Sequence, residues 1–171
     1  MEAMENLLTR RSCRNYKSEQ VPDELLDKVL EAGTFAASGM NRQSTYLVAV
    51  RDKETRDLLS KINGEVIGRE GDPFYGAPCV VVVLAAPDPT YLEDGSLVMG
   101  NLMLAAYDLG LGSCWIHRAR EEFESEFGKK LLADLGIEGD YEGIGHCALG
   151  YAAEPAREAA ARKENYVYYV K

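Results

Sequence analysis

The run CVVVVLAA, residues 79–86, is apolar at every one of its eight positions and shows no alternation. β-branched side chains favour a pleated strand, and a strand without a polar face must be covered on both sides. The segment therefore predicts a central strand with a layer of structure on each face of its sheet.

Upstream, GDPFYGAP punctuates the chain, its aromatics Phe74 and Tyr75 either walling a pocket or turned inward. Residues 53–68 carry a helical pattern with Leu58, Leu59 and Ile62 on the inward face, and TYLVAVR before them reads as a strand. VPDELLDKVLEAG places Pro22 at a first turn, acids behind it, and Leu25, Leu26, Val29 and Leu30 on one face before Gly33, which predicts an amphipathic helix. A shorter helix precedes it, with Met4, Leu7 and Leu8 as its inner face and an arginine cluster at its C-terminal end.

Downstream, residues 91–109 are helical in pattern but apolar nearly all round, including Leu97, Val98, Met99, Leu102, Met103, Leu104, Ala105 and Ala106. Such a helix belongs in a large core or a subunit interface, and a chain of 171 residues favours the interface. LGSCWIH reads as a strand, residues 120–135 as one exposed helix, and GIGHCALGY as another strand. The final ENYVYYVK is rich in strand formers without a neighbour in sequence, as expected of a segment that pairs at a sheet edge, its own or another subunit's. Strands and helices alternate, so the class is α/β or α+β with three layers, in one domain spanning residues 1–171.

A formal net charge of -9 and a pI near 4.8 repel nucleic acid and anionic lipid. No apolar run approaches the ~18 residues a membrane helix needs, and the acidic start MEAMENLL lacks an export signal, so the expectation is a cytoplasmic protein. Cys13, Cys79, Cys114 and Cys147 are scattered, with only His117 and His146 as histidines, so no metal site is expected. Cys79 and Cys147, inside strand-like runs, read as reduced apolar fillers.

Against this acidic background stands TRRSCRNY, residues 9–16, where Arg10, Arg11 and Arg14 crowd together. Either each guanidinium is solvated separately or an anion such as a phosphate holds them. A glycine fingerprint for dinucleotides is no alternative, because Gly110 and Gly112 follow a helix rather than a strand.

Four stretches in order, TRRSCRNY, SGMNRQS, GNLMLAAYDLGLGSCWI and ALGYAAEP with a basic segment after it, make the chain similar to the FMN-dependent nitroreductase family. The resemblance spans nearly the whole chain. It implies an α+β three-layer α-β-α sandwich built as an intertwined homodimer, with FMN at two sites in the subunit interface and a C-terminal arm exchanged between protomers. The all-round apolar helix then resembles the interface helix, and ENYVYYVK the arm.

By the same resemblance Arg10 meets the FMN phosphate, Arg11 and Ser12 the ribityl chain or ring edge, and Arg14 the pyrimidine side of the flavin. There a fixed cation stabilises the negative charge left by reduction. Ser38, Gly39, Met40, Asn41 and Gln43 match the loop lent by the second subunit; ordinary turn chemistry is the other reading of Asn41 and Gln43. Cys114, Trp115, Ile116 and His117 match the strand end beside the ring, where the main-chain amide of His117 faces N5, the hydride-accepting atom. Trp115 also reads as plain core. Arg162 and Lys163 fall where the family places further cations on the phosphate, with Arg157 a looser candidate.

His117 and Arg118 depart from the small residues that relatives carry after the Trp-Ile pair, and the region between Lys61 and Pro78 is brief, which leaves the pocket's cover and the substrate range open. The implied activity is an oxidoreductase that takes electrons from NADH or NADPH and passes them to a nitroaromatic, quinone or similar small acceptor in two half-reactions at one site, the flavin carrying the chemistry. The alternative is a flavin-binding electron carrier or store.

Overall fold

The computed structural model describes residues 2–171. Its centre is β2 (Cys79–Ala85), buried at all seven positions as the apolar run demands. β2 lies between β1 (Thr45–Val50) and β4 (Glu142–Gly150), and β3 (Gly112–Ile116) completes the sheet in the order β1-β2-β4-β3. All three pairings are antiparallel, which decides for α+β over α/β.

The pleat of β2 divides the core in two. Cys79, Val81, Val83 and Ala85 face α2 (Asp23–Thr34) and α4 (Tyr91–Asp108), meeting Leu26, Val29, Val98, Met99 and Leu102. Val80, Val82 and Leu84 face Leu59 of α3 (Lys53–Ile67), Phe74, Phe123 of α5 (Ala119–Glu124) and Leu132 of α6 (Glu126–Asp134). Three layers result.

Local chemistry sets the helix ends. Asp52 accepts the Thr55 N–H at 2.8 Å to start α3, and Gly68 closes it at φ 64°. The single helix expected over residues 120–135 is instead two. Ser125 is extended (φ -72°, ψ 163°), its hydroxyl accepting the Gly128 N–H at 3.2 Å, so the residue ends α5 and caps α6.

Two inner faces differ from the sequence expectation. In α1 (Ala3–Thr9) the buried residue is Asn6, whose Nδ2 donates to the Leu104 carbonyl at 3.0 Å, while Met4, Leu7 and Leu8 are more than half exposed. A single seven-residue helix on α4 can bury only one narrow stripe, and a hydrogen bond took it. In α3 Leu59 is buried but Leu58 is 40% exposed, and the inner face is completed by Arg56, Ser60 and Asn63. Phe74 is turned inward and fully buried.

Cys79, Cys114 and Cys147 are buried and free, and burial pushes the Cys79 thiol up to about 12. Residues 153–171 are exposed and form no strand. Among the described residues no helix is long and apolar enough to cross a membrane, and no three His, Cys, Asp or Glu side chains are grouped for a metal ion.

Candidate functional site

After α1 the chain runs extended along the free edge of β3. Ser12 bridges Ser113, the Cys13 N–H donates to the Ser113 carbonyl at 2.9 Å, and the Lys17 N–H donates to Tyr151 at 2.9 Å. Tyr16 pins this segment to the sheet, its hydroxyl 3.0 Å from the Cys13 carbonyl and 3.2 Å from that of Ala148. Burial raises the Tyr16 pKa far above the usual phenol range, so it stays a neutral donor.

The arginines of this segment are held differently. Arg11 turns back and donates to the Leu8 carbonyl at 2.8 Å and to that of Arg10, closing the C-terminal end of α1. Arg10 is half-buried, and its Nη1 is buried without a partner. Ser12 and Arg14 are exposed beside the Cys114 thiol. Burial raises that thiol, opposed by Arg14, a hydrogen bond from Ser12, and Arg10. Arg10, Ser12 and Arg14 thus all act on the Cys114 thiol of β3, and among the described residues neither guanidinium is in an ion pair, which is an anion-binding arrangement. Beside it a cavity of about 550 Å³ is lined by Arg11, Ser12, Arg14, Tyr107, Glu154 and Arg157. A more open groove of about 590 Å³ along α3 is less apt, because its Arg56 and Asp72 are paired with each other.

The 38–43 loop is strained. Met40, Asn41 and Gln43 have φ of 55°, 54° and 52°, a region costly for side chains with a Cβ. It is held by the buried Asp94, which accepts the Gly39 N–H at 2.9 Å, and by Ser38, whose hydroxyl accepts the Gln43 N–H at 3.1 Å. A Cβ at position 39 would lie 2.2 Å from the Thr90 hydroxyl, so glycine is required there. Met40, Asn41 and Gln43 are exposed, the last donating to Asn41 Oδ1 at 3.0 Å.

The end of β3 turns through Arg118 at φ 77°. Trp115 is half-buried with its Nε1 unpartnered, Ile116 is half-buried, and the exposed His117 ring sits 5.7 Å from that of Trp115. The His117 carbonyl accepts from Asn63 at 2.7 Å. Asn63 also donates to Glu122, whose Oε2 lies 2.8 Å from Nε2 of His146, outside hydrogen-bond angles. Sequence reasoning passed over Asn63, Asp94, Glu122 and His146; polar residues inside otherwise apolar runs, His146 in GIGHCALG above all, were the available signal.

Arg162 and Lys163 lie on the exposed C-terminal segment, Arg162 donating to the Ala160 carbonyl at 2.7 Å and Lys163 standing 5.0 Å over the Tyr166 ring. Strand register shows which of these groups meet. Ser12 abuts Ser113, which pairs Leu149 and through it Cys79, at one end of the sheet on the β3 edge. The 38–43 loop leads into Thr45, which pairs Ala85 at the other end on the β1 edge. Within one chain, the two sets occupy diagonally opposite corners.

Residues 7–151 match the model of the Nitroreductase family. The chain belongs to the nitroreductase family. Its antiparallel four-stranded sheet covered on both faces is the nitroreductase α+β fold, seen in a crystal structure of a Bacteroides fragilis nitroreductase with bound FMN (TM-score 0.90, 27% identity, 100% of both chains covered). An FMN-dependent nitroreductase of Clostridium difficile gives a TM-score of 0.81 at 28% identity, covering 98% of this chain and 99% of that one. The NAD(P)H FMN reductase of Bacillus subtilis is 36% identical over a 197-residue alignment covering 97% of this chain and 75% of the relative. Similarity to a Methanothermobacter thermautotrophicus protein, 30% over 120 residues, spans 67% of this chain and 60% of that protein.

Proposed function

We propose that this nitroreductase-family chain is an NAD(P)H-dependent FMN oxidoreductase that works as a homodimer, each flavin lying at the seam between two protomers. The observation that carries the reading is Arg10: a half-buried guanidinium with a buried, unpartnered Nη1, beside Ser12 and Arg14, fits an anion of the phosphate kind and leaves a donor unsatisfied without one.

FMN supplies hydride acceptance and two-electron delivery when bound; the chain's own residues bind and tune it. Arg10 holds the phosphate, joined by Arg162 and Lys163 once the C-terminal segment is seated. Ser12 and Arg11 border the ribityl chain. Arg14 sets a fixed cation at the pyrimidine edge, favouring the reduced form over the oxidised one. Cys114, Trp115, Ile116 and the main chain at His117 flank the ring. Ser38, Gly39, Met40, Asn41 and Gln43 come from the partner, which is why one chain keeps them at the far corner.

The dimer is supported by apolar surface that one chain leaves open. Met4, Leu7, Leu8, Phe35 and Leu97 are each at least half exposed, as are Tyr166, Val167, Tyr168, Tyr169 and Val170 of the C-terminal segment. The segment acts as an arm laid on the partner's sheet. All 171 residues form one FMN-binding domain. The acceptor is a nitroaromatic, a quinone or a similar small molecule.

The test is spectroscopic. Purified protein loaded with FMN is yellow, bleaches with stoichiometric NADH or NADPH under anaerobic conditions, and regains colour on adding a quinone or nitroaromatic. Colour that persists with both nicotinamides identifies a flavin carrier or store instead; protein that ignores FMN overturns the reading.

A further inference from the structure

Behind the His117 carbonyl lies a buried polar group that the proposed chemistry does not use. Asn63 on α3 is 1% exposed, and Glu122 on α5 and His146 on β4 are both fully buried. The Asn63 amide faces the His117 carbonyl at 2.7 Å and the Glu122 carboxylate. Both are acceptors, so the amide must present its NH2 to them; chemistry fixes its orientation. Glu122 packs against His146, 2.8 Å away without a hydrogen bond, and is placed by the close approach of α5 to β4 at Gly143, where a Cβ would lie 2.3 Å from the Ala119 backbone.

One side chain, Asn63, therefore reaches the peptide joining His117 to Arg118, and Glu122 on α5 anchors it from behind. Apolar side chains could fill the same volume without desolvating an ionisable pair, so stability alone is a poor reason for the group. What it does impose is direction. The C=O and N–H of a trans peptide point opposite ways, so drawing the His117 carbonyl toward α3 turns the Arg118 N–H away from it. Arg118 accordingly holds φ 77°, a conformation its side chain disfavours and its surroundings must enforce.

We propose that Asn63, held by Glu122, is a positioning residue: it fixes the His117–Arg118 peptide and thereby the aim of the Arg118 main-chain N–H toward the flavin ring edge. The inference rests on the FMN site proposed above, but the orientation is a property of the protein without ligand.

Two variants test it, Asn63→Leu and Glu122→Gln, the second retaining an oxygen that accepts from Asn63. Amide hydrogen exchange at residues 117–119 is measured without flavin; FMN affinity, the visible spectrum and the rate of bleaching by NADH or NADPH are measured with it. In Asn63→Leu, exchange rises and bleaching slows by about 10- to 100-fold, as expected of a misaimed donor, while FMN affinity moves less than about threefold because the phosphate end is untouched. Glu122→Gln stays within about twofold of the parent in exchange and bleaching. Parental exchange and bleaching in Asn63→Leu would overturn the proposal, as would affinity, bleaching and thermal midpoint falling together in both variants. Should Asn63→Leu fail to fold, Asn63→Ser, too short to reach His117, must give the same exchange and bleaching changes. A parent that binds no FMN refutes the site reading, and the exchange arm still decides the orientation.

Discussion

Gly39 donates its main-chain N–H to the buried carboxylate of Asp94 at 2.9 Å, tying the strained 38–43 loop to the first turns of α4. Thr90 donates to the other carboxylate oxygen at 3.2 Å. Asp94→Ala leaves the Gly39 N–H unmatched, Thr90 keeping Asp88 as an acceptor at 3.3 Å, and should lower stability by about 1–3 kcal/mol in urea denaturation. Exchange at the amides of residues 38–43 should quicken, while that of β2 follows only the global change.

Arg10→Ala removes a guanidinium whose Nη1 has no protein partner. FMN affinity in a fluorescence titration should fall about 10- to 100-fold, the loss of one or two charge-assisted hydrogen bonds. Thermal stability of the flavin-free protein should hardly change, since no hydrogen bond from Nη1 is lost.

Arg14→Ala should leave FMN bound but harder to reduce. If the cation favours the reduced flavin by about 1–2 kcal/mol, the two-electron midpoint drops by roughly 20–40 mV. A potentiometric titration giving the parental midpoint would remove Arg14 from the pyrimidine edge.

Asp72 organises the turn before β2, accepting from Ser60 at 2.7 Å, from the Phe74 and Gly76 N–H groups at 2.9 and 2.7 Å, and from Arg56. Burial pushes its carboxyl up, but the hydrogen bonds from Arg56, Ser60, Gly76 and Phe74 outweigh this and hold it below the usual carboxylate range. A depressed folded-state pKa contributes stability above the unfolded value of about 3.9, and that contribution is lost as pH falls through the folded value. Asp72→Asn should therefore cost about 1–3 kcal/mol at pH 7, the gap to the parent narrowing below about pH 4.

Where burial follows apolar pattern, the sequence was readable. CVVVVLAA had one structural solution, and Leu26 and Val29 fell on the inner stripe of α2 as their spacing required. Reading failed where hydrogen bonds replaced apolar contact. Asn6 took the inner stripe of α1 from Met4, Leu7 and Leu8, and Arg56 and Asn63 took part of α3 from Leu58. The Ser125 break was legible in principle as a cap inside a helical pattern. The candidate site was legible as motifs, Arg10 to Arg14 most clearly, but not as geometry: no spacing in the sequence reveals that Asn41 ends up at the opposite corner of the sheet from Ser12.

That corner-to-corner layout has a genetic consequence. If each flavin draws Arg10 from one protomer and Asn41 from the other, an Arg10→Ala chain and an Asn41→Ala chain are each crippled alone yet complement when mixed. The hybrid carries one intact site and one doubly damaged site, so random reassembly should restore about a quarter of parental sites. Extracts coexpressing the two defective alleles should turn over where neither does by itself.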